Sequence, residues 1–152
     1  MDFVPRDPNF EARVRASFAR QRFMATCGAR IERIAPGEIE LRFDHREELG
    51  QQHGFVHAGV LAAVADSACG YAALTLMDAD SAVLSVEFKV NLLAPAAGAH
   101  FQVVSRVVRA GRTLTVCAAE VRARGEDGVE GAPIAVMQAT MIALRDRPGL
   151  AD

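Results

Sequence analysis

Residues 54–77, GFVHAGVLAAVADSACGYAALTLM, decide how the rest of the chain is read. From Val60 to Met77 eighteen residues carry one charge, that of Asp66. A run of that length raises the question of a membrane span. Much of it is Ala, Gly and Ser rather than Leu and Ile, and the central charge opposes insertion, so a spanning helix is rejected. What remains is a helix with apolar surface on nearly every side, which protein must cover. A carboxylate inside such a helix costs on the order of several kcal/mol to desolvate unless it is paired or functional. Asp66 is therefore either half of a structural ion pair or hydrogen bond, or a base or nucleophile in a cleft.

Upstream of this helix, Asp44 to Gly54 is polar and contains glycine, as a loop leading into it should be. Before the loop, Ile31 and Ile34 precede Pro36-Gly37, and Ile39, Leu41 and Phe43 then alternate with Glu40, Arg42 and Asp44. That pattern predicts a hairpin with a Pro-Gly turn. Earlier still, Asp7-Pro8 resembles an N-cap followed by proline at the first helical position, with Phe10, Val14 and Phe18 at four-residue spacing. A short helix over about residues 8–24 is expected. Its other face, with Arg13, Arg15, Arg20 and Arg22, reads as solvated.

Downstream, Leu84, Val86, Phe88, Val90 and Leu92 alternate with Ser85, Glu87, Lys89 and Asn91, which predicts a long strand from Ala82 ending before Pro95. Three more strands are expected at Phe101–Val108, Leu114–Arg124 and Ala132–Leu144, separated by Ala110-Gly111 and by the run 125–131. The tail after Arg145 reads as loose. Helix, two strands, a long buried helix and four strands imply an α+β fold, an antiparallel sheet wrapped around a central helix. No repeat or linker divides the chain, so residues 1–152 are read as one domain with its core over about residues 29–145.

Composition agrees with a folded domain. Apolar residues make up 51% and charged residues 24% of 152, a length that buries about 70% of the unfolded surface. The 17 Lys and Arg are outnumbered by 19 Asp and Glu, so no overall field attracts nucleic acid. Cys27, Cys69 and Cys117 are odd in number and far apart, which suits a reducing cytoplasm better than a disulfide framework. Asp2 and the absence of an apolar run at the N-terminus give no sign of export. His53 and His57 are four apart, but Gly54 and the loop setting spoil a metal pair, so no metal is expected.

The segment Gly54-Phe55-Val56-His57-Ala58-Gly59, followed by Val60 to Asp66, resembles the HGG…D signature of PaaI-like hotdog thioesterases. Ser85 to Pro95 is similar to that family's strand after the helix, and Arg109-Ala110-Gly111-Arg112-Thr113 to its next hairpin turn. The likeness spans roughly Ile31 to Leu144. It implies a hotdog fold and hydrolysis of an acyl-CoA, with coenzyme A as part of the substrate and no separate cofactor. It also implies that the helix N-terminus polarises the thioester carbonyl through the backbone N–H of Ala58, where the family usually has glycine. Such a donor is physically reasonable, because unpaired N–H groups and the dipole face any oxygen placed there.

The same resemblance gives Asp66 the part of catalytic carboxylate, activating water or attacking the carbonyl itself. Gln51 would orient water or the carbonyl, Ser85 would help to hold the water, and His57 would shape the oxyanion loop. Arg109, Gly111 and Arg112, with Lys89, are candidates to meet the phosphates of coenzyme A. Gly59, Tyr71 and Leu74 are candidates to line the acyl pocket. A hotdog hydratase or dehydratase would need a different histidine and acid constellation, which the sequence does not present. A non-catalytic acyl-CoA sensor is the other alternative, although no DNA-binding segment precedes the fold. Ala58 and Asp66 lie eight residues apart, about 12 Å along a helix at 1.5 Å per residue, so one chain cannot bring both to one carbonyl. A homodimer with two shared sites is therefore expected, and a homotetramer is compatible with the resemblance.

Overall fold

The computed structural model describes residues 3–125, 130–145, 147, 149 and 150. Two short helices, α1 (Phe10–Arg20) and α2 (Arg22–Cys27), lead into strands β1 (Arg30–Ala35) and β2 (Glu38–Asp44). A 3-10 turn at Glu47–Leu49 and the long helix α3 (Ala58–Leu74) follow. Strands β3 (Ala82–Leu92), β4 (His100–Ala110), β5 (Leu114–Arg124) and β6 (Glu130–Leu144) complete an antiparallel sheet in the order β1-β2-β4-β5-β6-β3. Consecutive strands lie side by side in the pairs β1-β2, β4-β5 and β5-β6. Strand β3 comes straight out of α3 and takes the edge beside β6.

Helix α3 starts where His57, in extended conformation, turns its Nδ1 back to accept the Gly59 N–H at 2.8 Å. This is an N-cap that satisfies one of the helix's free donors. At the other end the Arg13 guanidinium donates to the carbonyls of Leu74 (2.9 Å), Met77 (3.3 Å) and Asp78 (2.7 Å). The buried side of α3, including Val64, Ala65, Ala68, Cys69 and Ala72, packs into a core with Leu41, Phe43, Phe101, Val103 and Met141. Phe43 and Phe101 stack with centroids 5.0 Å apart. At the β1–β2 turn Gly37 has a left-handed φ of 74°, and a Cβ there would lie 2.6 Å from the Phe3 ring, so glycine is required twice over.

Three expectations need correction. The N-terminal helix is not one element over 8–24 capped by Asp7, because Gln21 is extended and splits it in two. Asp7 instead accepts the Asn9 N–H at 2.8 Å and pairs with Arg13 at 3.2 Å, both side chains under a tenth exposed. Arg13 is thus not on a solvated face. Carbonyls at and just beyond the helix end attract it inward, those of Leu74 and Asp78 while also accepting the Met77 and Ser81 N–H, and Asp7 balances its charge.

The second correction concerns α3, which one chain does not cover on nearly all sides. Gly59, Ala62, Ala63, Asp66, Ser67 and Gly70, recurring every three or four residues, form a stripe that stays wholly or partly exposed.

The third concerns β3. Its register against β6 shifts between Ser85 and Glu87, so Val86 is an extra, bulged residue. Directly opposed residues share a face. Ser85 opposes Met141, Phe88 opposes Ala139, Val90 opposes Met137 and Leu92 opposes Ala135, all core residues. Ser85 therefore shares the helix-facing side with Phe88, Val90 and Leu92, whereas Leu84 lies with Glu87, Lys89 and Asn91. Strict alternation would have put Ser85 and Phe88 on opposite faces, and the inserted residue lets both face α3. Leu84, Val86, Phe88 and Leu92 are each about half exposed along this edge. No helix among the described residues is long and apolar enough to cross a membrane.

Candidate active site

Asp66 sits at mid-helix on the half-open stripe, and its partner comes from the bulged strand: Ser85 Oγ donates to Asp66 Oδ1 at 2.7 Å. The second carboxylate oxygen has no hydrogen-bond partner among the described residues, which leaves it able to take a proton. Around the pair lies a cleft of about 210 Å³ whose lining includes Ser67, Gly70, Tyr71, Val83 and Met141. Tyr71 is almost fully buried there, with its hydroxyl 3.3 Å from Ser17 Oγ and its ring edge-on to Phe18. Leu74 does not reach this cleft. It has no exposed surface and belongs to the core, because it comes one turn after the stripe has ended.

A second cleft of about 310 Å³ opens at the N-terminus of α3, lined among others by Gln51, His57, Ala58, Leu61 and Leu92. Of the first-turn donors, Gly59 N–H is taken by the His57 ring and Val60 N–H by the His57 carbonyl at 2.9 Å. Ala58 N–H has no partner among the described hydrogen bonds. Because Nδ1 of His57 accepts, a neutral ring carries its proton on Nε2. The loop before it is tight: Gln51 N–H donates to the Phe55 carbonyl at 2.8 Å, Gly54 N–H to the Gln51 carbonyl at 3.0 Å and His57 N–H to the Leu49 carbonyl at 2.8 Å. Gln51 Oε1 accepts from the His53 N–H, which leaves its amide nitrogen as the group available to the cleft. His53 itself faces Gln52, so the two histidines do not converge as ligands would.

The two clefts share no lining residue. Strand β3 passes both, with Ser85 at the Asp66 cleft and Leu92 at the Ala58 cleft. One chain thus holds the two halves of the expected site at opposite ends of the same edge strand.

The remaining candidates lie farther out. Lys89 donates to Asn91 Oδ1 at 2.6 Å on the face turned away from α3. Gly111 closes the β4–β5 turn with its N–H on the Leu114 carbonyl at 2.8 Å, and a Cβ would come within 2.6 Å of that oxygen. Arg109 and Arg112 flank this turn, both exposed and without an ion-pair partner among the described residues. Leu114 pairs with Ile142 and Ile142 with Leu84, so the turn stands at the sheet end that carries the Asp66 cleft. The thiols are poor nucleophiles. Burial pushes Cys69 up to about 12 and raises Cys27 and Cys117 as well, so none is a thiolate at neutral pH.

Sequence reasoning named Asp66, Tyr71 and Ser85 of this cleft as site residues, but not Ser67, Gly70, Val83, Leu84, Met141 or the polar Gln21. It accepts from Ser67 Oγ at 3.1 Å, from the break between α1 and α2. The four-residue spacing of Phe10, Val14 and Phe18 lapses at Arg22, and that lapse was the available signal.

Comparison with known proteins supplies the family. The Thioesterase superfamily model matches residues 53–130, from the loop before α3 through β5. The chain belongs to the thioesterase superfamily. A solved Thioesterase family protein from Silicibacter pomeroyi is 53% identical, covers 90% of this chain and 98% of its own, and superposes with a TM-score of 0.86. A sequence from Sulfurisphaera tokodaii that carries an esterase name is 35% identical over 107 residues, 70% of this chain and 74% of that one. The PaaI protein of the E. coli phenylacetic acid degradation operon, at 16% identity, covers 94% of this chain and 96% of its own with a TM-score of 0.78, a likeness of fold. The architecture is the hotdog fold, and this superfamily member is a hydrolase of the thioesterase type.

Proposed function

We propose that the protein hydrolyses acyl-CoA thioesters at two equivalent sites in a homodimer. Each site combines Asp66 and Ser85 of one chain with Ala58 and Gln51 of the other. The observation that carries this reading is the division of the site into two clefts along one exposed edge strand. An antiparallel pairing of two β3 strands centred on Phe88 lays the Ser85 end of one strand alongside the Leu92 end of the other. It brings the Asp66 cleft of each chain beside the Ala58 cleft of the other, and covers the half-exposed Val86 and Phe88. Pairing two such dimers would give a tetramer.

In the proposed step a water between Asp66 and the thioester gives its proton to the free oxygen of Asp66 while its oxygen bonds to the carbonyl carbon. Ser85 holds the other carboxylate oxygen and so fixes which one receives the proton. Negative charge grows on the carbonyl oxygen, where the open Ala58 N–H and the helix dipole meet it, a donor effect of a few kcal/mol. The C–S bond then breaks, the sulfur takes up a proton, and a carboxylic acid and free coenzyme A leave. No metal or redox group takes part in this scheme. The exposed guanidinium groups of Arg109 and Arg112 would meet the nucleotide phosphates, while Lys89 would first have to leave Asn91. Three unpaired cysteines favour the cytoplasm as its compartment.

Thiol release measured over a panel of acyl-CoAs tests the reading. Turnover of at least some members is expected, whereas tight binding of acyl-CoA without turnover of any would replace the enzyme by a sensor.

A further inference from the structure

Strand β3 presents open backbone groups and two charges at the edge of the sheet. Leu93 N–H donates to the Ile134 carbonyl at 2.8 Å, in step with the register that pairs Leu92 with Ala135. Antiparallel alternation therefore turns the N–H and C=O of Asn91, Lys89 and Glu87 toward β6, and those of Leu92, Val90 and Phe88 toward the open edge. Glu87 and Lys89 stand two residues apart on the face turned away from α3, both exposed and neither in an ion pair among the described residues. Lys89 reaches along the strand to Asn91, away from Glu87, whose carboxylate accepts from the Thr140 hydroxyl at 2.5 Å.

Directly opposed residues share a face, so a twofold pair of β3 strands is centred on a residue and not between two. Centred on Glu87 or on Lys89, the pair sets like charges against each other at the axis. Centred on Val90, it sets Lys89 against the partner's Asn91 and Glu87 against no cation. Val86 is the bulged residue and offers no regular centre. Centred on Phe88, the pair sets Glu87 of each chain against Lys89 of the other, while Phe88 exchanges both backbone hydrogen bonds with its copy.

We propose that two reciprocal Glu87–Lys89 pairs across the twofold axis select the Phe88 register, which makes both side chains positioning residues for the shared site. Moving the centre by one residue slides one chain past the other by two residue rises, about 6.8 Å, far more than a carbonyl held between Asp66 and the partner's Ala58 tolerates. This rests on the shared-site homodimer and adds what fixes its register.

Charge reversal in the full-length protein tests it. Glu87→Lys alone sets lysines against each other across the axis and Lys89→Glu alone sets glutamates, so each homodimer carries two repulsive pairs, whereas a hybrid of the two variants regains two attractive ones. After subunit exchange, native mass spectrometry should find hybrids in more than about four-fifths of dimers, against about half for random mixing. Exchange at about 1 M salt, where the Debye length is about 3 Å, should bring the fraction back toward half. Arg30→Glu and Glu32→Lys, at exposed positions on β1 at the opposite edge of the sheet, change net charge equally and should mix at random. Thioester turnover of each β3 variant alone should fall at least about tenfold and should rise with the hybrid fraction on mixing. Melting curves check that every variant folds. Random mixing of the β3 variants, or an equal preference in the β1 variants, would overturn the proposal and leave the shared site standing. Hybrids that form without a rise in turnover would overturn the positioning role. A wild type that is monomeric, or that turns over no thioester, would overturn the shared-site reading itself.

Discussion

At the C-terminal end of α3 the carbonyls of Leu74, Met77 and Asp78 all accept from one guanidinium, that of Arg13. At its N-terminal end the His57 ring takes the Gly59 N–H, and the Ala58 N–H is left without a described partner. Both ends face the same physical demand, because a helix terminus exposes backbone groups that need partners. One end is saturated from within the chain and the other is left open beside a cleft. A saturated end serves stability, and an open one is available to a ligand. The same contrast holds along the stripe, where Asp66 has one oxygen tied to Ser85 and the other without a partner among the described residues.

The largest effect expected from breaking this contrast is at the free oxygen. Asp66→Asn preserves the shape and the Ser85 contact but removes the base, so kcat should fall at least about a hundredfold while the melting temperature stays near that of wild type. Full activity in that variant would remove Asp66 from the mechanism.

The open end can be closed with little cost to the fold. Ala58 is the first helical residue and follows an extended His57, a position proline tolerates, so Ala58→Pro deletes the N–H while the helix remains. Each variant alone should be inactive. Mixed at random, half the dimers would be hybrids with one intact site each, so about a quarter of wild-type activity should return. Hybrid dimers detected by native mass spectrometry but lacking activity would contradict the shared site.

Ser85→Ala should have a smaller effect, about tenfold in kcat, because it removes one charge-assisted hydrogen bond that orients the carboxylate but leaves the carboxylate itself. A steady-state assay with a saturating thioester reads it directly, and an unchanged kcat would reduce Ser85 to an ordinary strand residue.

The contrast between the two ends also marks what could be read from the sequence. The fold was legible because α3 is the one long apolar run and the strands around it alternate cleanly. Asp66 stood out for the physical reason that a lone carboxylate in such a run needs an explanation. Ser85 was reached only through resemblance, since strict alternation put it on the face away from Phe88. A bulge leaves no mark in a period-two pattern when the extra residue is another valine. Arg13 was misread for a similar reason: helix periodicity reports which face a residue is on, not that carbonyls 61 to 65 residues later will draw it in. Gln21 was hidden because an expected helix was carried through the point where the real one breaks.

His57 separates stability from chemistry at the open end. Its ring replaces a lost helical hydrogen bond, and caps of this kind are worth about 1 kcal/mol. His57→Ala should therefore lower the melting temperature by about 2 to 4 °C for a chain of this size, seen by calorimetry. No change would mean that the Gly59 N–H is served equally well by water.

The smallest expected effect lies at the saturated end, where Asp78 joins the N-terminal segment and the end of β6 to the loop after α3. Its carboxylate accepts from Arg145 at 2.8 and 3.1 Å and from Arg6 at 3.4 Å. Hydrogen bonds from Arg145 lead the causes that hold its pKa below the ordinary carboxylate range; burial, next in size, opposes them, and the Arg6 and Arg145 charges with the Arg6 hydrogen bond complete the lowering. The unfolded chain therefore binds the proton first as pH falls. The stabilisation is fully present above the unfolded value of about 3.9 and is lost as pH drops through it toward the lower folded value. Because the pair is well exposed, with Asp78 at 40% and Arg6 at 44%, water screens most of the attraction. Asp78→Asn should thus lower the melting temperature at pH 7 by only about 1 to 2 °C, and the difference from wild type should shrink below pH of about 4. Melting curves of the two proteins that stay equally far apart down to the most acidic pH tested would show that the variant acts through packing or backbone contacts instead of through the charge.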